Sequence, residues 1–232
     1  MKVTNYALNG SVENTVYLVK EAEGLKPLFS ALMKKNLGKY FQKYFHKKES
    51  EEGDEEDEDV ISSIASLLLY LPPDSLELNR TIKKFTEKSF EKVERLIELH
   101  RLYFEKVNCV ETELEMDEEE EYLMKLEAGL FTLQFIDFIL IFISSPVSLF
   151  HSQLSSHVVS LLFQHSIPSS QIRQTMQSFL LKYAQDEQGE GEGGKKDSPI
   201  GLPKQLIQNY TDLFLSKLEQ KEKESQTEEN QN

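Results

Sequence analysis

The stretch that decides the fold is Tyr122 to Ile143, YLMKLEAGLFTLQFIDFILIFI, preceded by five consecutive acids, Asp117 to Glu121. Its apolar density predicts a helix buried on most of its circumference. The acids fall in or just before its first turn, where negative charge complements the helix dipole. Pro146 ends it, since proline lacks a donor and disfavours helical geometry in the residue before it. A helix of this length, roughly 30 Å, suits the core of an all-helical domain. A membrane span is the competing reading, but spans carry few or no charges, and this run holds Glu127, Gln134 and Asp137. The expectation is therefore a core helix and no membrane. Gly129 is expected to admit a close neighbour, Gln134 to hydrogen-bond inside, and Asp137, if buried, to need a partner.

The whole chain of 232 residues fits one elongated domain or a short stack of helical repeats. Its 40 acidic residues outweigh 26 basic ones, a formal charge of −14. That balance argues against duplex nucleic acid, whose affinity comes from lysines and arginines, and favours basic partners. The lone cysteine, Cys109, cannot form an intrachain disulfide and reads as an ordinary thiol at a helix end in a reducing compartment. The opening MKVTNYALNG has no apolar core of a secretory signal.

Working outward, apolar residues recur at three and four spacings, while glycine and proline gather at boundaries. Val12 to Val19 precedes EAEGL, and Leu28, Phe29, Leu32 and Met33 follow. Gly24 is expected to be the C′ stop of one helix, with Pro27 in the first turn of the next. Lys34 to Lys48 interleaves lysines with Tyr40, Phe41, Tyr44 and Phe45, a composition able to contact single-stranded nucleic acid through Lys35, Lys39, Lys43 and Lys47. At helical spacing the same aromatics form a core stripe. Nine of the eleven residues from Glu49 to Asp59 are acidic, so this insertion is expected to be disordered.

Val60 to Leu71 reads as a short buried helix closed by Pro72-Pro73, and Asp74 or Ser75 caps another to about Phe85. A helix from Ser89 to about Asn108 follows, with His100 on its apolar face as a structural histidine. Val147 to His165 and Ser169 to about Tyr183 continue the stack, with Ser169 or Ser170 as N-cap and with His151, His157 and His165 as surface or groove residues. The expected organisation is helical repeats over 1–184, a flexible linker over 185–198, a last helix within 199–218, and a disordered tail over 219–232. No GxSxG, HExxH, paired CxxC, Walker loop or dinucleotide fingerprint occurs, so no enzyme, metal or cofactor is expected.

Three stretches carry a resemblance. They are IASLLLYLPPDSLELNRTIKKFTEKSFEKVERLIELHRLYFEKV, then EEEEYLMKLEAGLFTLQFIDFILIFI, then SSQIRQTMQSFLLKYAQ. In that order they resemble the C-terminal third of the beta-catenin-like protein 1 family, most specifically at Tyr122-Leu123, Leu126, Ala128 to Phe131, and Leu133-Gln134. The opening segment through EAEGLKPLFSALMK resembles a late armadillo repeat of that family.

The resemblance implies an all-α, armadillo-like superhelix in a nuclear, non-catalytic protein of pre-mRNA splicing. It implies partners among spliceosomal proteins of the nineteen complex, bound through short basic, import-signal-like segments. The acidic residues Glu111, Glu113, Glu115, Glu118, Glu119, Glu120 and Glu121 are the candidates for steering such segments. The family's earlier repeats and its basic import signal have no counterpart here, which implies a fragment or a reduced homologue. A solenoid cut internally exposes an apolar face, so the helix bearing Val3, Tyr6, Ala7 and Leu8 is expected to show hydrophobic surface or to self-associate.

Overall fold

The computed structural model describes residues 2–33, 51–113, 118–146, 150–188 and 202–229. Eleven helices and no strand occur among them. They are α1 (Lys2–Leu8), α2 (Val12–Lys20), α3 (Leu25–Leu32), α4 (Glu51–Tyr70), α5 (Leu76–Thr86), α6 (Glu91–Glu113), α7 (Glu118–Glu127), α8 (Leu130–Ile143), α9 (His151–Gln164), α10 (Ser169–Gln188) and α11 (Lys204–Glu229). The architecture is all-α and armadillo-like, as expected. The basic aromatic segment Lys34 to Lys48 lies outside the described residues, as does most of the 185–198 linker.

The centre of the stack is α8. Every one of its residues except Phe131 is buried, and it packs against α4, α6, α7, α9, α10 and α11. Burying a side chain such as Ile136, Ile139 or Phe142 contributes about 1.5–3 kcal/mol. This helix is therefore the largest single apolar contribution to the fold. Among the described residues no single helix is long and apolar enough to cross a membrane.

The expected single helix from Tyr122 to Ile143 is in fact two, α7 and α8, meeting at 68°. Gly129 makes the break. Its φ of +97° is left-handed, which a Cβ disfavours, and a Cβ built there would lie 2.5 Å from Tyr103 Cδ1. The expected close approach at Gly129 is thus present, made by the Tyr103 side chain of α6. Only the C-terminal part of the run is core; Tyr122, Leu123 and Met124 on α7 face solvent.

At Gly24 the left-handed residue is Glu23, with φ +50°, while Gly24 itself has φ −68° and caps the start of α3. The Ala22 N–H donates to Tyr17 O and the Gly24 N–H to Leu18 O, which closes α2 in a Schellman-like turn. Glycine is needed at 24 for space: a Cβ there would stand 2.4 Å from Leu18 Cδ1.

The acidic insertion is helical from Glu51, not disordered, and it runs without interruption into the expected Val60 to Leu71 helix to make α4. Acids at a helix N-terminus are favoured by the dipole. Asp57 lies 3.8 Å from Arg95 of α6, and Asp59 accepts from Asn5 of α1 at 3.2 Å. Tertiary cations and donors thus offset the charge density that composition alone weighs against order. Likewise α11 runs to Glu229 where a disordered tail from 219 was expected. Glu222 accepts hydrogen bonds from both the backbone N–H (2.7 Å) and Oγ (2.9 Å) of Ser169, and Glu219 pairs with Arg173. Ser75 caps α5 by accepting from Leu78 N, one of the two residues expected there.

Candidate functional site: the acidic end of α6 and α7

Helix α6 is acidic at both ends, with Glu91 and Glu94 in its first turn. Glu111 and Glu113 stand in its last turn, which has no basic residue, and carboxylates there add to the negative C-terminal end. Five residues on, α7 opens with Glu118 to Glu121, so the two acidic ends lie at most about 18 Å apart. α6 and α7 also pack together. Acidic sequence therefore closes α6 and opens α7.

Of the candidate residues, Glu119 and Glu120 are exposed, and Glu121 is half-buried with an oxygen 2.5 Å from Lys125 Nζ one turn on. Glu111, Glu113 and Glu118 hold helical positions, but their side chains lie outside the described residues, as does Glu115 entirely. The alternative nucleic-acid set, Lys35, Lys39, Lys43 and Lys47, also lies outside them.

The apolar members of this end escaped the sequence reading. Leu123 is 54% exposed, Met124 38% and Tyr122 37%, while Leu126 on the same helix packs inward against the core. The signal for that exposure was Gly129, which turns the apolar run and leaves α7 with one inner and one outer face.

Two polar contacts lie in the core around α8. His100 Nε2 of α6 lies 3.1 Å from Asp137 Oδ1 of α8, both side chains almost wholly buried. They meet at ion-pair distance without the alignment of a formed hydrogen bond, and His100 Nδ1 and Asp137 Oδ2 have no hydrogen-bond partner among the described residues. Gln134 Nε2 donates to Ser178 Oγ of α10 at 3.0 Å, the inside hydrogen bond expected of it. No group of three or more potential metal-ligating side chains occurs among the described residues.

A second feature sits at the α5–α6 corner. Lys88, Ser89 and Phe90 are all left-handed (φ +51°, +55° and +67°), and Phe90 stacks on His157 at 4.3 Å. Gln153, Ser156, His157 and Ser160 line a shallow groove beside it. Partial burial of Glu87 raises its carboxyl, but Lys84 at 2.9 Å and Lys92 at 3.4 Å outweigh that and hold it below the usual carboxylate range.

The family described as "Catenin-beta-like, Arm-motif containing nuclear" matches residues 1–177. The chain belongs to this catenin-beta-like family. Beta-catenin-like protein 1 of Bos taurus and of Homo sapiens are each 36% identical to it over 109 residues, covering 40% of this chain and 19% of the relative. The beta-catenin-like protein 1 homolog of Schizosaccharomyces pombe is 29% identical over 144 residues, covering 58% of this chain and 22% of the relative. The match thus spans about a fifth of the length of these relatives. The catenin-beta-like match stops at 177, within α10, so α11 and its Glu219 and Glu222 contacts lie past it.

Proposed function

We propose that the chain is a non-catalytic, armadillo-like scaffold of pre-mRNA splicing. It works in the nucleus by binding basic, import-signal-like segments of spliceosomal proteins of the nineteen complex. The observation that supports this reading is the acidic sequence that closes α6 and opens α7 in a member of the catenin-beta-like family. Clustered carboxylates steer cationic partners and set their register, and they repel the phosphates of nucleic acid. The chain's net charge of −14 acts in the same direction.

The test sets a fluorescent lysine-rich peptide of import-signal type against a single-stranded oligoribonucleotide. Peptide binding should weaken as salt rises and fall at least about tenfold when Glu118 to Glu121 become Gln. RNA binding that is lost in Lys39→Glu/Lys43→Glu, with no peptide binding, would replace this reading with a single-stranded RNA module.

A further inference from the structure

We propose that the outer face of α7 is a docking surface for a basic amphipathic helix of a partner protein, with Leu123 as its apolar anchor. The inference rests on the reading of the chain as a scaffold for basic partners, and it names the shape and chemistry of the segment bound.

Residues three and four apart share a face of a helix. Glu119, Glu120 and Glu127 therefore surround Leu123 at one turn before and one turn after, and all three are exposed. Met124, one position on, extends the apolar strip beside them. Leu126, three residues on, marks the edge where this face turns in against the core, and the Lys125–Glu121 ion pair lies on the side of the helix away from Leu123. An apolar centre with a charged rim is the composition of an interface hot spot: the centre excludes water, and the rim selects the partner by charge.

Two properties define the occupant. The rim is wholly acidic, so the occupant is basic; a second copy of this face would set carboxylate against carboxylate. The face is the convex side of a helix, and side-chain ridges of one helix seat in the grooves of another. A helix carrying leucine-like residues at i, i+3 and i+4, flanked by lysine or arginine, satisfies both. Val3 and Tyr6 on α1 are also exposed, at 83% and 81%, but α1 brings no acid to rim them.

The experiment measures anisotropy of two labelled synthetic peptides of identical leucine and lysine content. One has its leucines on a single helical face; the other has them shuffled. The expected result is binding of the amphipathic peptide to the full chain at least about tenfold tighter than the shuffled one. Leu123→Asp, and separately Glu119→Lys/Glu120→Lys, should each remove that advantage. Circular dichroism checks that the variants keep their helix content; if Leu123→Asp does not, the charge-reversed variant decides. Binding of both peptides alike, unaffected by either variant, overturns the helix-docking proposal while leaving the basic-partner reading standing. Failure of both peptides to bind at low salt overturns both. A tenfold gain in affinity in Lys39→Glu/Lys43→Glu would mean that the chain's own basic segment holds the surface, which also overturns the assignment to a partner.

Discussion

His100 Nε2 on α6 stands 3.1 Å from Asp137 Oδ1 on α8, with both side chains sealed in the core. This contact sets the polar end of Asp137, on the central helix, against a polar group of α6.

His100 Nε2 and Asp137 Oδ1 face each other in the core, so removing one side chain leaves the polar atoms of the other buried beside apolar groups. His100→Ala or Asp137→Ala is therefore expected to destabilise the chain by about 1–3 kcal/mol. The double change to His100→Leu/Asp137→Leu should recover most of that loss, because neither polar side chain is then left buried without the other. Urea unfolding of the wild type, both singles and the double checks this; additive losses would contradict the pairing.

Gly129→Ala meets two obstacles at once, a left-handed φ of +97° and the Tyr103 ring 2.5 Å from the new Cβ. The expected loss is about 2–5 kcal/mol. Adding Tyr103→Ala to Gly129→Ala should relieve the clash but not the backbone penalty. A thermal melt of Gly129→Ala indistinguishable from wild type would mean that α7 and α8 do not bend there.

The docking of α11 depends on Glu222 serving as a cap for α10 in place of a local side chain. Glu222→Ala is expected to cost about 1–2 kcal/mol, in line with loss of an N-cap. Hydrogen exchange should accelerate over 219–229 and at the first turn of α10, while α8 stays protected. Unchanged exchange in both places would show that the apolar residues Phe214, Leu215 and Leu218 hold α11 alone.

Glu87 is held below the usual carboxylate range by Lys84 and Lys92, against the opposing effect of partial burial. Its carboxyl titrates lower in the folded chain than its reference value of 4.5, so its contribution is present above that pH and lost as pH falls through the folded value. The side chain is 39% exposed, so solvent screening keeps the contribution below about 1 kcal/mol. Glu87→Gln should be slightly less stable than wild type at neutral pH, and the two should converge in acid. A difference that persists unchanged at low pH would assign the effect to something other than this charge.

The helical class, the depth of α8 and the inside hydrogen bond of Gln134 were legible in the sequence, because each follows from local pattern: 3.6-residue periodicity, apolar density, and a polar group that burial obliges to pair. The bend at Gly129 was not, since the apolar run continues through it, and both the left-handed φ and the Tyr103 ring in the Cβ position come from how the helices pack. The same gap hid the exposure of Leu123, which depends on where α7 points after the bend. The order of Glu51 to Asp59 and of the tail to Glu229 was missed for a third reason. Composition weighs a segment against water, whereas Arg95, Asn5, Arg173 and Ser169 reach these segments from elsewhere in the chain.

The most direct measurement of the central claim is nuclease-resistant co-purification of the tagged full chain from nuclear extract, followed by mass spectrometry. Splicing proteins should remain bound after nucleic acid is digested and be depleted when Glu118 to Glu121 are changed to Gln. Loss of every splicing protein on nuclease treatment, or their equal recovery with the neutralised variant, would contradict it.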